Sequence, residues 1–325
     1  MIRMGIIGAA GIAGTALAVP AQSVDEVDVV GVTSRDPQRA REFATRYGLE
    51  KVYPSYGELL DDSSLDAVYV PLANSLHAKW TIAALEAGHH VLCEKPLGSN
   101  AAQAEEMVAT AERQGRMMVE AFHWRYHPVA GKMIALSKQI GPLERLEARF
   151  LVHIDPPNVR WDLELAGGSL MDLGCYCVHM VRTVAGSEPK VLRAAAVEGP
   201  RGVDVTMEAD LEFAGGLPAT ISSSMVANES VWPEAMTFRA VGREGEVEIL
   251  NPMAPQLGHR VTATLADGTK VNEVLDTPTS YVHQLRAFCR IISGEEAPLT
   301  GGQDSIDNMK VIDAIYEASG LGMRN

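Results

Sequence analysis

Residues 5–13, GIIGAAGIA, lie between an apolar run that begins at Arg3 and a segment of helical spacing, and they decide how the first third of the chain folds. Gly8, Ala10 and Ala13 hold the three positions of a G-x-G-x-x-G/A turn. The first position permits a tight strand-to-helix bend and the second lets backbone approach a pyrophosphate. Gly11 and Ile12 belong to the same turn, at a helix N-terminus whose N–H groups can receive phosphates. Ala10 replaces the usual middle glycine and adds one methyl where the phosphate would approach. Taken alone, the turn also fits a strand-to-helix bend with no ligand.

Outward from the turn, short β-branched runs alternate with helical patterns, as βαβ units of a parallel sheet require. Residues 3–7, 27–34, 67–72, 90–93 and 117–121 are the predicted strands. Between them, Asp36 caps a helix with Pro37 at its first position, and Gly48 closes it. Asn100 and Gln103 form a capping box, and Gly88 ends a helix that starts near Ser75. Trp80, Met117 and Met118 are assigned to the core.

The second predicted strand ends Thr33-Ser34-Arg35. An Asp or Glu at that tip would bond the adenosine ribose hydroxyls and select NAD. Here a hydroxyl and a guanidinium stand instead, a pair suited to a 2′-phosphate, so NADP is expected over NAD. The competing view is that Arg35 is a solvated loop charge beside Asp36.

After a helix over 128–140 the periodicity changes. From Val203 to Phe213 the odd positions are apolar and the even ones polar, which is a strand with one buried face. Gly215-Gly216 leads into a strand over 217–225, and Asp267-Gly268 joins strands over 261–265 and 270–275. A chain of 325 residues is long enough for two domains, each with its own core. We expect an α/β protein: a doubly wound parallel sheet of Rossmann type over 1–122 and, over 123–325, an α+β domain built on a large, mostly antiparallel sheet.

The formal charge of −14 disfavours nucleic acid. Cys93, Cys175, Cys177 and Cys289 have no C-x2-C spacing and are expected to be reduced cytosolic thiols. Residues 4–24 carry no charge and resemble a leader, but Gly5, Gly8, Gly11, Gly14 and Pro20 leave the run too weakly apolar for export or a membrane span. Glu120, His123 and His127 have a spacing that would suit a metal on a helix, yet Pro128 follows at once and the stretch leaves a strand, so no metal is expected.

Two further stretches carry chemistry. His89–Pro96, HHVLCEKP, is a strand whose carboxyl end presents Lys95, and in an open α/β sheet that end faces the ligand crevice. In AGGSLMDLGCYCVHM, Asp172, Tyr176 and His179 follow at helical spacing and would share one face. Together GIIGAAGIA, VYVPLANSLHAKW, VLCEKPLG, EAFHWRYHP and NVRWDLELAGGSLMDLGCY resemble the Gfo/Idh/MocA oxidoreductases, in particular the branch with dihydrodiol dehydrogenases, NADP-dependent xylose or glucose dehydrogenases and glucose-fructose oxidoreductase. The resemblance spans most of the first 180 residues.

The resemblance implies that Lys95 and Tyr176 are the catalytic pair, that Asp172 lies beside the substrate, and that the Lys95–Pro96 peptide is cis, an isomer that proline tolerates. It implies a cofactor site including Pro71, Leu72, Asn74, His77, Glu94, Lys95 and Pro96. The substrate would be a carbohydrate or diol, with a nucleotide-linked sugar or a sensor without turnover as the alternatives, and the oligomer a homodimer or homotetramer. Ala10 and Ala73 depart from the pattern, where relatives commonly have glycine and proline. Asn74 and His77 would cap their helix or line the nicotinamide pocket. Arg125, Asn158 and Arg160 are further candidates for binding a polyol, or serve to satisfy buried backbone; the role of His179 is open.

Hydride transfer at a sugar carbon needs a proton to leave or reach the oxygen, and Tyr176 would carry it. A tyrosine titrates near pH 10 and a nearby cation lowers that by roughly 1 to 3, so Lys95 would bring it to about 7–9. Four carboxylates, Asp204, Glu208, Asp210 and Glu212, fall on the polar face of the 203–213 strand. They would repel across a symmetric contact unless met by basic residues. For the cofactor, the Ser34-Arg35 tip predicts a higher kcat/KM with NADP than with NAD in steady-state assays, and a clear NAD preference would remove Arg35 from the site.

Overall fold

The apolar runs of the first third become a six-stranded, all-parallel sheet in the order β3-β2-β1-β4-β5-β6. Its strands are β1 Ile2–Ile7, β2 Val27–Thr33, β3 Lys51–Tyr53, β4 Ala67–Val70, β5 His90–Cys93 and β6 Met118–Glu120. This computed structural model describes residues 1–227 and 234–325. Within them the chain forms two compact units, Met1–His123 with Tyr281–Ile306, and Trp124–Ser280 with Asp307–Asn325. All four residues of β4 are buried, because parallel strands are covered on both faces and read as unbroken apolar runs. The short edge strand β3 was not foreseen.

The helix signals hold closely. The Asp36 carboxylate accepts from the backbone N–H of Gln38 at 2.9 Å, with Pro37 at the first position and Gly48 in the left-handed region. Asn100 accepts from Gln103 N–H at 3.0 Å, while the Gln103 side chain reaches Ser99 N–H at 2.9 Å, one residue short of a reciprocal box. Two core assignments need correction. Met117 precedes β6 and is 40% exposed, whereas Met118, inside it, is 6% exposed. Trp80 is half-buried and packs edge-on against Tyr56 with ring centroids 4.6 Å apart.

Residues 281–306 return to the first unit. The Thr300 hydroxyl donates to the Glu120 carbonyl at 2.6 Å, the Ser305 hydroxyl bonds the Glu120 carboxylate, and that carboxylate also accepts from Leu97 N–H at 2.9 Å. Glu120 is thus a fully buried strut in this unit.

The second unit is built on eight strands in the order β14-β13-β12-β11-β7-β10-β9-β8. They are β7 Leu143–Leu151, β8 Lys190–Glu198, β9 Asp204–Phe213, β10 Leu217–Ser224, β11 Met236–Gly242, β12 Gly245–Leu250, β13 Arg260–Thr264 and β14 Lys270–Glu273. Only β7 and β10 pair in parallel; the other neighbours are antiparallel. The two glycine turns join β9 to β10 and β13 to β14 as expected. Val205, Met207, Ala209, Leu211 and Phe213 form the buried face of β9. Asp204 is the exception to its period-two pattern: it belongs to the expected polar face, yet it is fully buried.

A helical segment packs on this sheet in two parts, a π turn Leu170–Gly174 followed by the α-helix Cys175–Ala185. Tyr176 and His179 keep α-helical spacing, but the step from Asp172 to Tyr176 crosses the π turn. The single helical face expected for all three is therefore distorted at Asp172. Single π turns of this kind recur at functional sites.

Candidate active site

The glycine turn of the first unit begins where β1 ends. Gly8 has φ +110, a conformation L side chains rarely adopt, and a Cβ there would lie 2.6 Å from Leu72 Cδ2. Its N–H donates to the Thr33 carbonyl at 2.9 Å, which ties the turn to the end of β2. Ala10 is the N-cap of the helix that starts at Gly11 and offers it no side-chain bond. The first helical N–H groups, those of Gly11 and Ile12, have no carbonyl one turn earlier to accept them, and both residues are exposed. The close-packing function of the third fingerprint position falls to Gly14, one residue beyond Ala13. A Cβ on Gly14 would sit 2.0 Å from the Tyr47 hydroxyl.

At the tip of β2, Ser34 is half-buried and Arg35 exposed. The Ser34 hydroxyl accepts from Asp36 N–H at 3.3 Å, and the Asp36 carboxylate is taken up in capping its own helix. The capping bonds to Gln38 and Arg39 fix the direction of the Asp36 carboxylate toward its own helix. Burial pushes the Tyr56 phenol up, and the Arg35 charge and a backbone hydrogen bond from Arg35 oppose that. The sequence reading missed Arg39, whose Nε donates to the Ala9 carbonyl at 2.7 Å and braces the glycine turn from the next helix. Its place in the first turn of the helix that follows the β2 tip is the signal that could have found it.

Past β4, Pro71 is buried and Leu72 packs over Gly8. Asn74 is the first residue of the helix Asn74–Glu86, and Ala73 is its N-cap, without a side-chain bond. His77 is 1% exposed, with ring nitrogens 2.9 Å from the Pro96 carbonyl and 3.0 Å from the Leu72 carbonyl. It therefore spans the ends of β4 and β5. Burial lowers its pKa and the nearby Lys95 charge adds to that, against the two carbonyls. After β5, Glu94 is buried and accepts from the Tyr69 hydroxyl at 2.6 Å, Lys95 is half-buried, and the Lys95–Pro96 peptide is cis as the resemblance implied.

In the second unit the structure joins three of the predicted substrate residues, Asn158, Arg160 and Asp172. Asn158 Oδ1 accepts from Arg160 N–H at 3.1 Å and from Arg160 Nη1 at 3.2 Å. The Arg160 guanidinium in turn pairs with Asp172, Nε to Oδ2 2.5 Å. Asp172 stands on the π turn and Tyr176 in the first turn of the α-helix behind it. Tyr176 is 5% exposed, with its ring tilted against Phe150 at 5.8 Å. His179 Nδ1 accepts from the Trp124 indole N–H at 3.1 Å, a structural bond that settles what one of its ring nitrogens does. Arg125 is half-buried in the turn His123–Tyr126. His127 caps the helix Pro128–Ser137 through a bond from Val129 N–H at 3.2 Å, and His123 stacks on Tyr281 at 4.2 Å. Among the described residues, no group of three His, Cys, Asp or Glu is arranged to hold a metal ion.

Residues 2–122 match the Gfo/Idh/MocA oxidoreductase family, NAD-binding Rossmann fold, and residues 129–248 match the Gfo/Idh/MocA C-terminal domain. The chain belongs to the Gfo/Idh/MocA oxidoreductases. Over 327 aligned residues it is 36% identical to D-xylose 1-dehydrogenase (NADP(+)) 2 of Haloferax volcanii, covering 99% of this chain and 98% of that protein. The aldose-aldose oxidoreductase from Caulobacter crescentus, solved with glycerol, superposes with a TM-score of 0.88 at 27% identity, covering 98% of this chain and 97% of the other. A 3-ketoreductase from Actinomadura kijaniata in complex with NADP and TDP-benzene gives 0.87 at 28% identity, with the same coverage. The first unit thus carries the family's NAD-binding Rossmann fold, and the matches agree with the doubly wound and mostly antiparallel sheets.

In this family member Asn158 is the residue that orients Arg160 toward Asp172. Asn158→Ala removes two bonds worth about 1 kcal/mol each. It is expected to raise the substrate KM roughly five- to tenfold, while the dissociation constant for NADPH, followed by fluorescence, stays within twofold.

Proposed function

We propose that the protein is an NADP-dependent dehydrogenase or reductase acting on a sugar or related diol. The observation that carries this is the second-unit segment on which Tyr176, a phenol able to carry a proton, follows the Arg160–Asp172 pair. A guanidinium and a carboxylate held together offer donors and acceptors in fixed positions, which suits neighbouring hydroxyls. The first unit fits the cofactor: Gly8 makes the tight bend under Leu72, open space lies over Gly11, Gly11 and Ile12 present N–H groups, and Arg35 stands exposed at the tip of β2. Pro71, Leu72, Asn74, His77, Glu94, Lys95 and Pro96 form the rest of the cofactor-binding set. When bound, the nicotinamide accepts or supplies the hydride.

The chain's own part is the proton. Tyr176 takes it from the substrate hydroxyl during oxidation and returns it during reduction, and Lys95 is the other member of the proposed catalytic pair. Asp172 accepts from substrate hydroxyls, and Arg160, Asn158 and Arg125 complete the binding set. A free sugar or diol is favoured over a nucleotide-linked sugar. A cleft of about 480 Å³ beside Asn158 in the second unit is lined by Pro157, Val159, Trp161 and Leu165 among others, and the one cation in its lining, Arg201, faces Asp162 at 3.9 Å. The presence of Lys95 and Tyr176 favours turnover over a purely sensing role. The four cysteines are buried free thiols, which suits a reducing, cytoplasmic setting, and among the described residues no helix is long and apolar enough to cross a membrane.

A homodimer or homotetramer formed through the outer face of the second-unit sheet belongs to the same proposal. Of the four carboxylates expected on that face, Asp204 is buried and Asp210 pairs with Arg193 at 3.2 Å, which leaves Glu208 and Glu212 to be met by basic residues of a partner. Light scattering is expected to give a mass of two or four chains; a monomer at micromolar concentration would reject this assembly.

Tyr176→Phe is expected to bind NADPH normally and to lose at least a hundredfold in kcat. For the unaltered protein, kcat/KM for sugar oxidation should rise with pH as more phenolate forms. Full activity of Tyr176→Phe, or a flat profile from pH 6 to 10, would remove Tyr176 as the proton carrier.

A further inference from the structure

The most unusual group outside the assigned residues is the carboxylate of Asp204. It is fully buried at the start of β9 and gathers four donors. Oδ2 accepts from Leu170 N–H at 2.7 Å and from the Ser169 hydroxyl at 3.0 Å. Oδ1 accepts from the Tyr316 hydroxyl and from Arg324 Nη2, both at 2.8 Å. The Arg324 side chain is 2% exposed and lies over the Tyr316 ring at 4.1 Å. Burial pushes the Tyr316 phenol well up, so it stays protonated and donates.

The position of these bonds matters. Leu170 opens the π turn that carries Asp172, and Tyr176 follows in the next turn. The start of this helical segment has no cap of its own, since Ser169, the preceding residue, makes no capping bond to it. Asp204 supplies from another strand the negative charge that a helix start favours. The Gly167-Gly168 pair makes room for it: Gly168 has φ +126, and a Cβ there would lie 2.0 Å from Asp204 Oδ1. On the other side of Gly168, its N–H donates to the Arg160 carbonyl at 2.9 Å, and its carbonyl accepts from Asp172 N–H at 3.1 Å. The Arg160–Asp172 pair and the Asp204 anchor thus meet in one short stretch of backbone.

We propose that Asp204 and Arg324 are positioning residues for this reaction: the buried carboxylate, balanced by Arg324, pins the Ser169–Leu170 backbone and so fixes Asp172 and Tyr176. A segment near the end of this sequence, 304 residues after Pro20 and far from any predicted motif, would then set turnover. An isolated carboxylate in this place would be costly to bury, and the Arg324 guanidinium 2.8 Å away balances it. The inference rests on the roles given to Asp172 and Tyr176 above.

The test uses the full chain. Arg324→Met is expected to lower kcat at least tenfold at a temperature well below its melting point, with the NADPH dissociation constant within twofold of the parent and partial recovery in Arg324→Lys. A parental kcat in a variant with a lowered melting temperature would overturn the proposal and leave the pair a merely structural one. Should Arg324→Met fail to fold, Ser169→Ala removes one donor and leaves the charges balanced; a severalfold loss of kcat supports the anchor and an unchanged kcat overturns it. A parent protein inactive on every sugar would count against the proposed activity and not against the anchor. Hydrogen exchange then decides the anchor separately: amides of residues 169–177 should exchange at least tenfold faster in the folded variant, while those of the glycine turn do not change. Unchanged exchange over 169–177 would overturn it.

Discussion

Backbone N–H groups at the start of a helix have no partner inside the helix, and both units of this protein are organised around that constraint. In the first, the helix beginning at Gly11 has an alanine at its cap and its first residues in solvent. That is an arrangement for an anion from outside, because the N–H groups and the helix dipole together favour negative charge. In the second, the segment beginning at Leu170 receives its anion from within, the Asp204 carboxylate. In the proposed function the first helix start is kept for the cofactor, and in the proposed anchor the second is used to hold side chains still.

Under the proposed function, holding those side chains still has a chemical purpose. A hydride and a proton that move in one reaction require a proton carrier and hydroxyl-binding groups with little freedom, since misplacement by about 1 Å can cost a hundredfold in rate. Asn158 orients Arg160, Arg160 pairs with Asp172, and Asp172 shares its helical segment with Tyr176. In the first unit His77 does comparable work, its ring set between the Leu72 and Pro96 carbonyls so that the loops after β4 and β5 keep their places.

Much of this was legible in the sequence because it depends on local rules. The glycine turn, the Asp36 and Asn100 caps, the alternation along β9 and the two glycine hairpins all follow from backbone geometry or side-chain period over a few residues, and each appears where expected. Local rules also set the failures. Asp204 obeys the alternation of a polar face, but its partners Tyr316 and Arg324 are over a hundred residues away, so nothing nearby marks it as buried. Met117 looks like core until the strand is seen to start one residue later. The return of residues 281–306 to the first unit has no signal in its own helix pattern.

The sequence by itself determined the two kinds of sheet, the open helix start after Gly8, the carboxylate-free tip at Ser34-Arg35 and the identities of Lys95, Asp172 and Tyr176 as candidates, because strand period, turn conformation and residue chemistry are properties of short stretches. Only the tertiary structure decided that Arg160 and Asp172 form a pair, that Gly14 makes room for Tyr47, and that a buried Asp204 holds the segment bearing Tyr176. Those are contacts between distant parts of the chain, and whether a charged group is tolerated in the interior depends on the partner that folding brings to it.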